Sequence, residues 1–456
     1  MKILLIRPKP SPETIGLQHV MIVEPLELEI LYTLKRDSDT AIIIDLILEK
    51  EPFEWFIKKH QPDVLCLTGY ITNVGIMIDY CRKAKQLLPS VSTVVGGVHC
   101  EVCPEDFEDE SIDFRVVRNA SVNFTDLLNH IEFRGALPKG IFIPGNTLEN
   151  TTLPAFDFRV PIPDRSSVAK YRPKYFYIFH EKVALLKASF GCPYKCSFCF
   201  CRVITHGAYS QRPINEVMDE LEKLFETEIY IVDDDFLADR KYLQSFIAEV
   251  KKRNIHKHYL VYGRADFIAG NSEIIQQMAE IGLKTVIVGF ESFSDQELAK
   301  YNKNTSVSMY AETMAVLKRD DIDVFATIII PPEWDKKDFD NMVKVVKSLG
   351  IHYVNLQPLT PLPKTEVSYP DDQILISRKE YEKWDLAHIS VQPEKMTVPE
   401  FYLEILKAYS AILYQPKVLW RYLTTYHPIL LWKMITGGAR VAKQYRNKIK
   451  EARKHA

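Results

Sequence analysis

The chain has 456 residues and a formal net charge of -2 at pH 7; 46% of its residues are hydrophobic and 26% are charged. This length exceeds what one hydrophobic core organises, so we expect two or three domains. The near-neutral charge gives no reason to expect a nucleic-acid partner. Eight cysteines in so long a chain do not indicate a disulfide framework, and they favour the reducing cytoplasm. No apolar run reaches the ~18 residues that span a bilayer.

Strand and helix signals alternate over residues 1–131. Short apolar runs predict strands at residues 3–6, 41–47, 64–67 and 93–95. Segments with helical periodicity lie between them, at residues 26–34, 54–60 and 76–88. This alternation predicts an α/β domain with a doubly wound parallel sheet of the Rossmann-like type.

Two loops of this domain follow predicted strand ends, which is where doubly wound sheets bind their ligands. The candidate binding residues in these loops are Thr68, Gly69, Tyr70, Gly96, Gly97 and His99. A glycine pair at a strand end lets the backbone approach a ligand closely, although most such pairs are tight turns. His99 is a candidate metal ligand, but a histidine at this place is more often a loop residue that makes hydrogen bonds.

Prolines punctuate residues 132–181, which predicts an extended linker. Strand and helix signals alternate again over residues 182–365. The predicted strands are residues 183–189, 228–232, 259–262, 285–288, 324–330 and 353–356. Repeated units of this size predict a partial (β/α)6 barrel, in which chemistry takes place at the carboxyl ends of the strands.

Three cysteines follow the first barrel strand with C-x3-C-x2-C spacing, and an aromatic residue, Phe198, precedes the third. Cys192, Cys196 and Cys199 can hold three irons of a cubane iron–sulfur cluster. Because cluster ligation normally uses four cysteines, the fourth iron stays open to an outside ligand. Structural zinc is the alternative, but it prefers four ligands in two separated pairs, and this loop supplies three.

The run Gly191-Cys192-Pro193 with this spacing resembles the cluster loop of radical S-adenosylmethionine (SAM) enzymes. The resemblance implies a [4Fe-4S] cluster on the three cysteines, with SAM bound to the open iron. Polar residues at later strand ends match the same family's pattern. The residues that the resemblance implies as SAM contacts are Phe198, Asp234, Arg264, Glu291 and Ser292.

Some of these residues have simpler alternatives. Arg264 could instead form a structural salt bridge with Asp266 or Asp233. Three adjacent carboxylates repel one another, so we expect one residue of 233–235 to face the site and the others to face solvent. Lys303 is expected to be solvated, and Cys201 to be a buried or loop thiol rather than a fourth ligand.

The run Val94-Val95-Gly96-Gly97-Val98-His99 resembles the cobalamin-binding domain that precedes the barrel in one radical SAM subfamily. The resemblance implies cobalamin contacts from the six loop residues named above. Two features depart from the pattern. The chain lacks the Asp-x-His motif that ligates cobalt in many cobalamin proteins, and residues 117–121 replace a Gly-Glu-Gly-Glu run. The alternative is a vestigial module that only supports the barrel.

Residues 366–456 are predicted to be mainly helical, with helices at 377–388 and after a capping box at Thr397. In the resembling family this region covers the substrate pocket. An aromatic, apolar segment at 419–435 precedes a basic tail. Such a segment is usually core and such a tail usually solvated, but together they could also form a peripheral membrane contact.

The resemblance implies a cobalamin-dependent radical SAM methyltransferase. In such an enzyme a 5′-deoxyadenosyl radical abstracts hydrogen from an unactivated carbon, and methylcobalamin delivers the methyl group. The alternatives are a non-methylating cyclisation, ring rearrangement or oxidation and, outside enzymes, an iron–sulfur redox or sensor protein. The implied partners are a small-molecule substrate, hydrophobic if the tail binds a membrane, and an electron donor such as flavodoxin or ferredoxin.

Overall fold

The computed structural model describes residues 1–455, which divide into two compact units. The first unit consists of Met1–Thr14, Glu24–Lys174 and Arg378–Asp385. The second consists of Ile15–Val23, Tyr175–Ser377 and the chain from Leu386 onward. Each unit therefore contains a segment that is distant in sequence from the rest. The boundaries at residues 131, 181 and 365 stay a prediction.

A six-stranded sheet forms the centre of the first unit. Its strands are β1 (Lys2–Arg7), β2 (Thr40–Asp45), β3 (Val64–Thr68), β4 (Ser92–Gly96), β5 (Phe114–Val116) and β6 (Ile141–Phe142). Their order is β2-β1-β3-β4-β5-β6, and all pairs are parallel except β5 with β6. The helices are α1 (Leu26–Thr33), α2 (Phe53–His60), α3 (Val74–Leu87), α4 (Val98–Val102) and α5 (Ala120–Phe133). This arrangement confirms the predicted doubly wound α/β fold.

The second unit is built on another six-stranded sheet. Its strands are β7 (Ala184–Leu186), β8 (Glu228–Ile231), β9 (His258–Gly263), β10 (Leu283–Glu291), β11 (Asp323–Ile330) and β12 (Tyr353–Pro358). They pair in consecutive order and all run parallel. The connecting helices are α6 (Cys201–Ile204), α7 (Ile214–Lys223), α8 (Arg240–Lys252), α9 (Ala265–Gly270), α10 (Ser272–Glu280), α11 (Asp295–Lys300), α12 (Met309–Arg319) and α13 (Lys336–Ser348). This is the predicted partial barrel.

Side chains alternate along β10 between two environments. Val286, Val288 and Phe290 are buried in the core that the sheet shares with its helices. Because successive side chains of a strand point to opposite faces, Gly289 and Glu291 lie on the other face of the sheet. The carboxyl end of β10 thus presents Glu291 on the face away from the helical core.

Three helices end the chain: α14 (Val398–Leu413), α15 (Pro416–Thr425) and α16 (Pro428–His455). The predicted capping box of α14 is present, since Glu400 accepts from the amide and the hydroxyl of Thr397. The predicted helix at 377–388 is wrong, because that segment forms only a 3-10 turn at Tyr381–Lys383. Among the described residues, no helix combines the length and the apolarity that crossing a bilayer requires.

Replacing Phe246 by alanine is expected to lower the free energy of unfolding by about 3–5 kcal/mol, because its fully buried ring would leave a cavity. Phe246 packs edge-on against Phe236 and Tyr259. The matched control is Phe225→Ala, since Phe225 is 99% exposed, and this change should stay within about 0.5 kcal/mol of wild type. Urea unfolding of both variants checks this, and equal losses would contradict the assignment of the core.

Candidate active site

The cysteine loop is closed at its base by a small antiparallel pairing, Ser189–Phe190 with Ser210–Gln211. Gly191 follows with φ +74, and a Cβ at this position would lie 2.0 Å from the carbonyl oxygen of Ala208. Only glycine fits both requirements without strain. The loop then carries the three cysteines and enters α6.

The backbone of this loop is held by the segment after α11. The Ser197 amide donates to the Tyr301 carbonyl at 3.0 Å. The Asn302 side chain donates to the Lys195 carbonyl at 2.8 Å. The loop conformation therefore rests on residues about a hundred positions later in the sequence.

The three cysteines fit a metal cluster by their chemistry. Each is partly exposed and none forms a disulfide. Burial raises the pKa of the Cys192 thiol to about 12, so that without metal this thiol stays protonated at neutral pH. Bound iron deprotonates a coordinating thiol outright. Three thiols on one short loop, with a cation beside them, suit a cluster with one open iron.

Arg264 supplies that cation. Its guanidinium makes a two-pronged salt bridge with Asp266, with N–O distances of 2.9 and 3.0 Å, and lies over the ring of Tyr194. It also donates to the Lys303 carbonyl and lies 3.7 Å from the Cys196 sulfur. The structure thus contains the alternative salt bridge to Asp266, and it places Arg264 beside the cluster loop. Its contact with SAM stays a prediction.

Lys303 and Glu291 form a buried ion pair, with 2.9 Å between Nζ and Oε1. The expectation that Lys303 is solvated is wrong, because the residue is only 6% exposed. Burial is the largest single influence and lowers its pKa, but the charges of Glu291 and Cys196 and the hydrogen bond to Glu291 together outweigh it, so the pKa is raised above its usual value. Glu291 adopts a positive φ of +62, a conformation that is strained for a non-glycine residue.

The two other expected SAM contacts near this pair are Phe198 and Ser292. The ammonium of Lys303 lies 5.9 Å from the centre of the Phe198 ring. Ser292 is fully buried, and its hydroxyl donates to Glu297. The ring therefore lies with the charged residues, whereas the serine hydroxyl already has a partner within the protein. Both SAM contacts remain predictions.

The three consecutive aspartates after β8 differ from the expectation. Asp233 is buried and accepts hydrogen bonds from the Ala188 amide at 2.8 Å and the Ser189 hydroxyl at 2.6 Å. Asp234 is partly exposed. Asp235 is buried as well, so two of the three do not face solvent.

Asp235 is a functional candidate that the sequence analysis missed. Among the described residues, neither of its carboxylate oxygens makes a hydrogen bond of ordinary geometry. Burial raises its pKa to about 7, although the charges of Arg264 and Lys303 act in the opposite direction. In the sequence, the only indication of such a role was that Asp235 belongs to the run of three aspartates after a predicted strand. A buried carboxyl with unused acceptors beside two cations suits a polar ligand group.

The two candidate loops of the first unit meet at one sheet edge. Thr68 at the end of β3 pairs in register with Gly96 at the end of β4. Gly97 has φ +90, and a Cβ there would lie 2.5 Å from the Thr68 hydroxyl oxygen. The adjoining Gly69 is similarly crowded by Asn73, whereas the next side chain, Tyr70, is 61% exposed.

His99 lies at the same edge but already has a partner. Its Nε2 is 2.7 Å from Asp106 Oδ2, and the ring is buried. His99 therefore makes a hydrogen bond within the protein, as the alternative expected, but it lies in α4 and not in a loop. Contact of His99 and of the other loop residues with cobalamin stays a prediction.

Comparison with known families agrees with this geometry. The radical SAM superfamily matches residues 186–346, which contain the cysteine loop, Arg264, Glu291 and Lys303. The second unit therefore carries a radical SAM domain. The B12 binding domain matches residues 14–128. The chain thus combines a radical SAM domain with a B12 binding domain, and these domains imply a [4Fe-4S] cluster, SAM and cobalamin as cofactors.

Similar proteins span most of the chain. The hopanoid C-3 methylase of Methylococcus capsulatus is 27% identical and aligns with 92% of this chain and 81% of its own. The anaerobic magnesium-protoporphyrin IX monomethyl ester cyclase of Cereibacter sphaeroides is 21% identical over 80% of this chain and 62% of its own. The structure of the methyltransferase TsrM from Kitasatospora setae, with cobalamin and a [4Fe-4S] cluster bound, has a TM-score of 0.67 at 15% identity and covers 100% of this chain and 99% of its own.

The variant Lys303→Met is expected to destabilise the protein by about 3–5 kcal/mol, because it leaves Glu291 buried and unpaired. The control is Lys300→Met, which breaks the more exposed pair with Glu333 and should cost at most about 1 kcal/mol. Adding Glu291→Gln to Lys303→Met should recover part of the loss. Urea unfolding measures all three, and equal effects of the two lysine variants would contradict the buried pair.

Proposed function

We propose that this protein is a cobalamin-dependent radical SAM C-methyltransferase that acts on an unactivated carbon of a hydrophobic small molecule. The observation that carries the proposal is the presence in one chain of the three-cysteine loop and a B12 binding domain. The methylase relative, aligned with 92% of the chain, supports methyl transfer as the reaction.

The cluster and SAM supply a hydrogen-abstracting radical when bound, and cobalamin supplies the methyl group. Cys192, Cys196 and Cys199 hold the cluster. Arg264 and Glu291 offer opposite charges to the carboxylate and amino groups of SAM, while both are kept in place by their own partners, Asp266 and Lys303.

The remaining contacts shape the two cofactor sites. Phe198 offers an apolar surface to the adenine, and the acceptors of Asp234 and Asp235 suit its polar edge or the ribose. In the first unit, the glycines at 69, 96 and 97 let backbone come close to the corrin. A reducing cytoplasm with flavodoxin or ferredoxin as electron donor suits an oxygen-sensitive cluster.

A second candidate reaction is a cyclisation or oxidation that transfers no methyl group. The similarity to the magnesium-protoporphyrin cyclase favours it, since that protein aligns with 80% of the chain. The two reactions consume SAM differently. Methyl transfer converts SAM to S-adenosylhomocysteine as well as to 5′-deoxyadenosine, whereas the alternative forms no S-adenosylhomocysteine.

The test uses protein reconstituted anaerobically with iron, sulfide and hydroxocobalamin. With reduced flavodoxin or dithionite supplying the electron that SAM cleavage consumes, we expect a reduced four-iron cluster whose EPR spectrum changes when SAM is added. With SAM labelled in its methyl group and a hydrophobic extract from a strain lacking the gene, we expect a labelled product with equal amounts of 5′-deoxyadenosine and S-adenosylhomocysteine. Product without the label would favour the second reaction.

Cysteine variants make this test specific. Cys196→Ala should lose the cluster and all SAM cleavage, because the loop supplies only three cysteine ligands and the cluster needs each of them. Cys201→Ala is the matched control, two residues beyond Cys199, and it should keep both. An EPR spectrum that does not respond to SAM in the wild type would refute the proposal.

The hydrophobic class of substrate is supported by the surface of α15 and α16. Large apolar side chains are exposed there, including Trp420 at 70% and Trp432 at 69%. The exposed apolar residues of this surface are Leu419, Trp420, Leu423, Ile429, Trp432 and Ile435. Large exposed apolar side chains concentrated on two helices favour an interaction site, and tryptophan favours the membrane interface.

The charge of the same region favours an anionic lipid surface as its partner. No Asp or Glu lies between Glu404 and Glu451. The exposed basic residues in this interval are Lys407, Lys417, Arg440, Lys443, Arg446 and Lys450. Basic side chains beside exposed aromatic ones are typical of helices that lie in the interface plane. We infer that these helices bind a bilayer on which a hydrophobic substrate resides.

The double variant Trp420→Gln/Trp432→Gln should bind vesicles of phosphatidylglycerol and phosphatidylcholine at least about tenfold more weakly than wild type, because it removes interfacial anchors. Phe225→Gln is the control, since it changes a fully exposed ring elsewhere. Co-sedimentation measures binding, which should also fall with salt and with pure phosphatidylcholine. Unchanged vesicle binding would contradict the membrane contact. So would a wild-type dimer that the double variant converts to a monomer, because the apolar surface would then join two copies of the chain.

A further inference from the structure

Three metal-binding side chains lie together in the first unit, away from the cysteine loop in the sequence. One ligand atom from each of His99, Cys103 and Asp106 lies within 4.8 Å of the other two. His99 and Cys103 are each 4% exposed, and Asp106 is partly exposed. Neither Cys103 nor Asp106 belongs to the residues assigned to cobalamin above.

Local structure explains why these three side chains converge. His99 and Cys103 are four residues apart, at the start and the C-cap of α4, and such pairs share a helix face. The Cys103 amide donates to the His99 carbonyl at 2.7 Å. Pro104 then ends this helix and begins the 3-10 helix Pro104–Phe107, which carries Asp106.

The surroundings orient two of the three groups. Tyr381 donates its hydroxyl to Asp106 Oδ1 at 3.1 Å, while Oδ2 lies 2.7 Å from His99 Nε2. The His99 ring packs edge-on against Phe107 and Tyr381. Outer partners of this kind are what metal sites use to hold their ligands in position.

The neighbouring cysteine shows that the arrangement is selective. Cys100 and Cys103 form a C-x2-C pair in the sequence. Only Cys103 joins the group, because the Cys100 sulfur lies 3.7 Å from the Val95 carbonyl oxygen. The pair is therefore not a two-cysteine zinc knuckle, and Cys100 provides a matched control.

We propose that His99, Cys103 and Asp106 bind a divalent transition-metal ion, with zinc as the best match. Imidazole, thiolate and carboxylate are the three ligand types that zinc takes in proteins, and water completes four-coordination. The sulfur and nitrogen donors disfavour magnesium and calcium. The ion ties the helix α4, which follows Gly97 at the end of β4, to the segment around Tyr381 through Asp106.

The test loads the reconstituted protein, with cluster and cobalamin, with one equivalent of Zn2+. After dialysis we expect one zinc per chain by mass spectrometry. Zinc-edge X-ray absorption should show one sulfur at about 2.3 Å and nitrogen or oxygen at about 2.0–2.1 Å. This readout is independent of SAM cleavage and methyl transfer, so it can fail while the proposed function holds.

Single variants show whether zinc binds at these three residues or elsewhere in the protein. Cys103→Ser should remove the sulfur contribution and lower zinc retention more than about tenfold, whereas Cys100→Ser should leave both unchanged. If Cys103→Ser does not fold by circular dichroism, His99→Gln and Asp106→Asn serve instead. Zinc lost on dialysis from the wild type, or about three sulfurs per zinc, as expected for capture by the cluster loop, would overturn the proposal.

Discussion

The buried ion pair between Lys303 and Glu291 is the interaction on which the candidate active site depends. Glu291 ends β10, and Lys303 comes from the segment that also holds the cysteine loop through Tyr301 and Asn302. The Lys303 carbonyl in turn accepts from Arg264. Because a buried charge without its partner is strongly unfavourable, loss of this pair would disturb the end of β10 and, through the segment of Lys303, Arg264 and the cluster loop as well.

The same residues explain how negative charge is accommodated at this place. Three thiols become thiolates when they bind iron, and Asp235 is buried close to the cations. Bound iron brings positive charge of its own, which compensates the thiolates. Arg264 and Lys303 are each paired with a carboxylate, Asp266 and Glu291, so that these two cations are neutralised within the protein.

Local patterns in the sequence predicted the fold and the centre of the site. The cysteine spacing, the apolar strands and the capping box at Thr397 each depend on neighbours within a few residues. Burial of Lys303 and of Asp235 was not predicted, because it depends on strands that meet only in the folded chain. The prediction of a helix at 377–388 was wrong because this segment, too, depends on contacts with residues distant in sequence.

That segment is held by long-range contacts that its own periodicity does not reveal. Tyr381 donates to Asp106, and the Glu382 carbonyl accepts from Thr14. Trp384 is 1% exposed. These contacts lie within the first unit and select a 3-10 turn over the helix that the sequence favours locally.

Residues 378–385 belong to the first unit although they are translated after most of the second. The first unit lacks one of its own segments until the ribosome has passed residue 385, by which time all six strands of the second sheet have been made. Residues 15–23 meanwhile await a sheet translated much later. Neither unit has all of its segments until late in synthesis, so the last packing steps of both follow translation of most of the chain.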